Sequence, residues 1–271
     1  MRAQPGRPWG RMWGVRPANV RSAILLTTAL LSLVPCVGCR EAGHDQPLVV
    51  LAASSLREAF DELGAGFEVE HPGVRVELAF SGTQELRAQV EHGARADVFA
   101  SADLAHMEAL VREGLALEPS VFARNIPVVV VAPGAPVRTF ADLPSAERIA
   151  IGAPEVPIGR YAAAVLDRAQ EALGDGFRDR VEARIVSREF NVRQVLAKVE
   201  LGEAQAGIVY RTDVRDGVSV VPIPEVLAVK PEYPISVLRG APRPGLAHAF
   251  IAWVRSERGR RILVAHGFDV P

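Results

Sequence analysis

Residues 48–53 form an unbroken apolar run, and two serines, Ser54 and Ser55, follow it at once. Leu56, Ala59, Phe60, Leu63 and Phe67 then recur at helical spacing. This reads as a buried strand running straight into a helix. Such a corner presents free backbone N–H groups and hydroxyls at the carboxyl edge of the strand, which is a ready place for an anion. Ser55 with Glu58 three residues on also has the signature of a capping box, which needs no ligand.

Strand and helix signals alternate along the rest of the chain. Strands are expected over 74–80, 97–100, 126–132, 148–152, 181–186, 206–210, 218–221 and 233–238. Helices are expected after Ser81, from Asp103 to Gly114, after Gly159, from Asn191, and over 245–254 and 257–266. This alternation argues an α/β fold with mostly parallel sheets. The strand count is large for one sheet and fits two lobes with a cleft between them. Lobe 1 is expected at 47–125 plus 239–271 and lobe 2 at 126–238, with hinges near Asn125 and Leu238.

The amino-terminal segment reads as separate from the fold. Arg2, Arg7, Arg11, Arg16 and Arg21 precede an apolar run over 23–34, and Cys36-Val37-Gly38-Cys39 follows. A basic region, a short apolar stretch and small residues make a secretory signal over 1–39. The apolar run is short for a membrane span. A redox or zinc CxxC is disfavoured, because no second cysteine pair exists. Gly38-Cys39 resembles a bacterial lipobox, with Cys39 as the acylated residue and Cys36 where such motifs usually carry Leu. Residues 40–46 then read as a short polar tether.

Charge and motifs narrow the function. The 31 Lys and Arg against 32 Asp and Glu leave a formal net charge of −1, without the basic patch that nucleic acid requires. No GxSxG, GxGxxG, P-loop or HExxH occurs. The six histidines are scattered and lack metal-ligand spacing. Four strand-to-helix corners remain, at Ala53-Ser54-Ser55, Phe80-Ser81-Gly82-Thr83, Val156-Pro157-Ile158-Gly159 and Phe190-Asn191-Val192. None carries Lys, Arg or His. Ligands of open α/β sheets bind outside the carboxyl ends of the strands. Several helix N-termini, each worth about half a positive charge, can neutralise a small dianion there. Each corner also has a purely structural reading: Ser81 with Gln84 and Asn191 with Gln194 are capping boxes, and Val192 and Ile158 suit a core. Tyr210 equally suits a half-buried tyrosine with a satisfied hydroxyl.

Six blocks in order carry a resemblance: LAASSLREAF, AFSGTQELRAQVEHGARADVFASAD, PVVVVAP, GAPEVPIGRYAA, FNVRQVLAKVELGEAQAGIVYRTD and EYPISVL. Together they resemble the periplasmic molybdate-binding proteins of bacterial ABC transporters, from about Leu48 to the carboxyl end. The resemblance implies a type II periplasmic binding protein fold, a monomer that captures molybdate or tungstate, and delivery to a permease in the cytoplasmic membrane. It implies an extracytoplasmic location, no catalysis, no cofactor and no metal coordinated directly by side chains. The implied ligand residues are Ser55, Thr83, Ile158, Val192 and Tyr210. Many relatives have Ser at the Thr83 position, and Ile158 and Val192 would act through backbone N–H groups. Another oxyanion, such as sulfate or thiosulfate, is the nearest alternative, and an enzyme or sensor domain on the same scaffold is more remote.

Overall fold

The opening run forms strand β1 (Leu48–Ala53), and the chain continues through a 3-10 turn, Ser54–Leu56, into α1 (Arg57–Glu70). The structure, a computed structural model, describes residues 47–174 and 176–271. The secretory signal, Cys39 and the tether lie outside the described residues. After α1 come β2 (Val76–Ser81), α2 (Thr83–Glu91), β3 (Val98–Ala100), α3 (Leu104–Arg112) and β4 (Ser120–Arg124). A second set follows: β5 (Pro127–Val131), β6 (Ile149–Gly152), α4 (Pro157–Leu173), α5 (Phe177–Glu182), β7 (Ile185–Glu189), α6 (Val192–Glu200), β8 (Ala206–Tyr210) and β9 (Ser219–Pro222). The chain ends with β10 (Glu232–Val237), α7 (Pro244–Val254) and α8 (Glu257–Ala265).

Ten strands make two five-stranded sheets, in the orders β2-β1-β3-β10-β4 and β7-β6-β8-β5-β9. β1 and β6 run parallel to their neighbours. β10 is antiparallel to β3 and β4, and β5 is antiparallel to β8 and β9. The expected mostly parallel sheets are therefore corrected to mixed ones. Parallel pairing needs a crossover, usually helical. The chain enters β5 and β10 by crossings from the other sheet that carry no α-helix, so these strands insert from the opposite end.

The first crossing lies at Asn125 and Ile126, between β4 and β5. The second does not lie near Leu238. It falls between β9 and β10, because β10 completes the first sheet rather than the second. β4 was not foreseen. The strand expected from Val181 begins at Ile185 instead, because Val181 is the inner residue of α5. Phe177 and Val181 are both buried four residues apart, and the Phe177 ring stacks on Phe140 at 5.6 Å. That pairing turns a β-branched residue into a helical contact.

Each sheet carries its own core. In the first, Phe60 and Phe67 of α1 meet Phe250 of α7 edge to face at 6.2 and 5.3 Å. Trp253 Nε1 donates to the carbonyl of Leu63 at 2.9 Å, tying the returning helices to the opening one. Each fully buried aromatic of this kind contributes about 1.5–3 kcal/mol from apolar burial. In the second, Val195, Leu196 and Val199 of α6 and Val165, Leu166 and Ala169 of α4 are buried against the β5–β8 region.

Candidate functional site

β1, β2, β3, β6 and β7 each run toward the same cavity before their chains turn into helices. It is lined by Ala53, Ser54, Ser55, Gly82, Thr83 and Ala102 from the first half. Val156, Pro157, Ile158, Asn191, Val192 and Tyr210 line it from the second. Its volume is about 10 Å³. That is far below the roughly 300–1,000 Å³ of sites for organic ligands, and it suits a small compact group. All five expected residues, Ser55, Thr83, Ile158, Val192 and Tyr210, border it. The Ala102 corner, between β3 and α3, was not singled out from the sequence. Ala102 itself has no hydroxyl, and the neighbouring Ser101 hydroxyl is spent on the backbone of Asp103.

Local chemistry at the corners differs from the expected caps. Ser55 does not cap α1. Its hydroxyl lies 3.0 Å from that of Tyr233 in β10, and Glu58 instead pairs with Arg193 and Arg215. Ser81 with Gln84 forms no capping box either. The Glu85 carboxylate accepts from the Gly82 N–H at 3.3 Å and from the Ser81 hydroxyl. Gln84 Nε2 reaches across and donates to the Phe190 carbonyl at 2.7 Å. A Cβ on Gly82 would stand 2.4 Å from that carbonyl oxygen, so the approach of the two halves requires glycine there. Asn191 does cap α6, its Oδ1 accepting from Gln194 N–H at 3.1 Å. Gln194 Oε1 in turn accepts from the Phe190 N–H at 3.0 Å.

The cavity offers donors. The first amides of α2, α4 and α6 have no acceptor within their own helices. Thr83 Oγ1 accepts from the Ala102 N–H at 3.2 Å, which leaves the Thr83 proton free to be donated. Tyr210 is buried, and its hydroxyl has no hydrogen-bond partner of good geometry among the described residues. Burial, then the neighbouring Tyr233, holds the Tyr210 hydroxyl well above its ordinary pKa, so it is a neutral O–H donor. No lining residue is charged. The flanking cations are already paired: Arg160 with Asp103, and Arg193 with both Glu58 and Asp213. Among the described residues no cluster of His, Cys, Asp and Glu is suited to a metal ion. A site built of N–H and O–H donors without acceptor carboxylates matches an unprotonated oxyanion.

Contacts between the halves ring this cavity. Besides Gln84 to Phe190, His106 Nε2 of α3 lies 2.9 Å from the Glu155 carbonyl of the second half. Arg160 of α4 pairs with Asp103, the N-cap of α3. On the other side, Arg193 of α6 and Arg215 grip Glu58 of α1. Arg193 Nε also lies 2.8 Å from buried Asp213. Burial pushes the Asp213 carboxyl up to about 7 against the pull of Arg193, whereas the Arg193 hydrogen bond holds Glu58 down at about 2.

Residues 48–269 match the sequence profile of a family described as bacterial extracellular solute-binding protein. The molybdate-binding protein ModA of Mycobacterium tuberculosis is 38% identical over 266 residues, spanning 91% of this chain and 98% of the relative. The solved periplasmic molybdate-binding protein of Azotobacter vinelandii shares the fold, with a TM-score of 0.74 at 23% identity. That match covers 83% of this chain and 99% of the solved one. The sulfate-binding protein SubI of Mycobacterium tuberculosis has a TM-score of 0.75 at 16% identity, covering 83% of this chain and 87% of its own.

Proposed function

The chain belongs to the bacterial extracellular solute-binding protein family, and from that premise we propose that it captures molybdate, and tungstate with it, for a membrane permease of the ABC transporter class. The observation that carries this reading is the cavity where Ser55, Thr83 and Tyr210 hydroxyls meet the helix ends at Ile158 and Val192 without any charged side chain. The anion is carried unchanged, as cargo rather than cofactor. The protein acts as a monomer outside the cytoplasmic membrane. Among the described residues no helix is long and apolar enough to cross a membrane. The basic, apolar, Gly38-Cys39 run supports removal of the signal and acylation of Cys39 as the anchor.

Donor chemistry orders the ligands. Hydrogen phosphate would bring an O–H to a lining that holds no carboxylate to accept it, and an unmatched buried polar group costs roughly 1–3 kcal/mol. Sulfate has no proton but is smaller, so donors set for the longer bonds of molybdate reach it poorly. The expected order is molybdate about equal to tungstate, then sulfate, then phosphate. Calorimetric titration of the stripped protein with these four anions tests it. Phosphate binding as tight as molybdate binding would refute the donor-only pocket, and tighter sulfate binding would make sulfate the cargo.

A further inference from the structure

Behind Ser55 lies a chain of buried polar groups whose direction can be worked out. Asn125 stands at the first crossing between the sheets, and Tyr233 stands in β10. Both are buried, as is Ser55. The Ile126 N–H lies 2.8 Å from Asn125 Oδ1. A backbone N–H can only donate, so this contact fixes the amide oxygen on that side. The Asn125 NH₂ group therefore faces its other two neighbours, Thr212 Oγ1 at 2.8 Å and Tyr233 Oη at 3.3 Å, with one hydrogen for each.

Tyr233 Oη, having accepted from Asn125, keeps its own proton to donate. Of its two hydroxyl neighbours, Tyr210 and Ser55, it is Ser55 Oγ that stands in hydrogen-bond geometry, at 3.0 Å. Burial, its first cause, raises the Tyr233 pKa, so the phenol remains protonated. Ser55 Oγ then accepts from Tyr233, and its own proton is turned away from Tyr233, toward the cavity that Ser55 lines. We propose that Asn125 and Tyr233 are positioning residues which commit the Ser55 hydroxyl to donating to the bound oxyanion. This rests on the oxyanion reading above. It assigns a selective role to two residues outside the lining: with one lone pair engaged by Tyr233 and its proton turned to the cavity, Ser55 favours an anion that accepts over one that must donate.

A tyrosine satisfied by two neighbours could equally be mere core, so the test must separate orientation from packing. Tyr233→Phe keeps the ring among Phe122, Tyr210 and Phe268, whose centroids lie 6.5, 5.9 and 5.6 Å away. Calorimetry with molybdate and with phosphate is run on wild type, Tyr233→Phe, Ser55→Ala and the double variant. Tyr233→Phe is expected to weaken molybdate binding about ten-fold, the scale of one hydrogen bond to a charged acceptor. It should weaken phosphate binding less, because the freed Ser55 hydroxyl can rotate and accept. In the Ser55→Ala background the same change should cost molybdate less than about two-fold, since the two residues form one unit. Equal losses with and without Ser55, or no loss at all, overturn the proposal. Should Tyr233→Phe not fold, Asn125→Ala in the same cycle takes its place. If wild type binds none of the oxyanions, the functional reading fails and the positioning role goes with it. If wild type binds and the cycle is additive, the positioning role alone fails.

Discussion

Tyr210 buries a hydroxyl that no described residue satisfies. With the two halves in contact, such a group costs roughly 1–3 kcal/mol until an acceptor reaches it. Tyr210→Phe should therefore leave the ligand-free protein as stable or about 1 kcal/mol more stable, while molybdate binding weakens about ten- to a hundred-fold. Thermal melts and calorimetry read the two effects separately. A destabilised variant with unchanged affinity would make the hydroxyl structural. Thr83→Val has the opposite stability sign. It removes the acceptor of the Ala102 N–H as well as a cavity donor, so both stability and affinity should fall, stability by about 1–3 kcal/mol.

Among the elements, α4 depends on one glycine. A Cβ on Gly159 would lie 2.0 Å from the Ala153 carbonyl oxygen and 2.5 Å from that of Gly152. Helix and strand β6 touch backbone to backbone there, which sets the amide of Ile158 at the cavity. Gly159→Ala should push the N-terminus of α4 outward, destabilising by roughly 1–3 kcal/mol as overpacking does. Molybdate affinity should fall with it. A variant that melts like wild type and binds like it would show that the corner tolerates displacement. α6 is held from behind by a different device, the Arg193–Asp213 pair. Arg193→Met would leave Asp213 buried without its cation, so the carboxyl, already raised to about 7, is driven further toward its protonated form and stability should fall most steeply above neutral pH. Urea unfolding measures it.

At the scale of the molecule, the contacts around the cavity join the two halves directly. Each half alone offers part of the donor set, so an anion gains most when the halves meet. Small-angle scattering should show a smaller radius of gyration with molybdate when the free protein populates an open form. Glu58→Gln weakens the grip of Arg193 and Arg215 without touching the lining. It should reduce affinity only a few-fold, because half-exposed ion pairs are worth about 0.2–1 kcal/mol. Asp213, which Arg193, Arg215, Glu58, Tyr233 and Tyr210 face, and Glu58 both contribute to the pH response, while burial lowers the His106 pKa and so opposes Asp213 in part of its window. The Asp213 pKa is raised from 3.8 to about 7, so its contribution is present below pH 4 and lost as pH rises through 7. Glu58 is lowered from 4.5 to about 2, so its contribution is present above 4.5 and lost as pH falls through 2. Between pH 4 and 7 stability should decline by up to about 1.4 kcal/mol per unit from Asp213. Asp213→Asn should flatten that decline in urea melts, and an unaltered slope would assign it to other groups.

What the sequence determined by itself was local. The apolar run 48–53, the span 206–210 and the Asn191 cap are each specified by neighbours within a few residues, and each forms where expected. The five residues now bordering one cavity were legible because strand-to-helix corners are local events, and the resemblance supplied which corners to choose. Tertiary structure decided the rest. Ser55 found Tyr233, 178 positions away, instead of Glu58 three away, because the buried phenol needs a partner and the half-exposed carboxylate has two arginines to meet. β10 joined the first sheet, because a strand's edge hydrogen bonds are satisfied by whichever sheet it reaches, and local pattern does not encode that choice. Val181 became helical because Phe177 had Phe140 to stack on. The direction of the Ser55 proton was invisible for the same reason: it is fixed by Asn125 and Tyr233, residues brought together only when the chain crosses between sheets and returns.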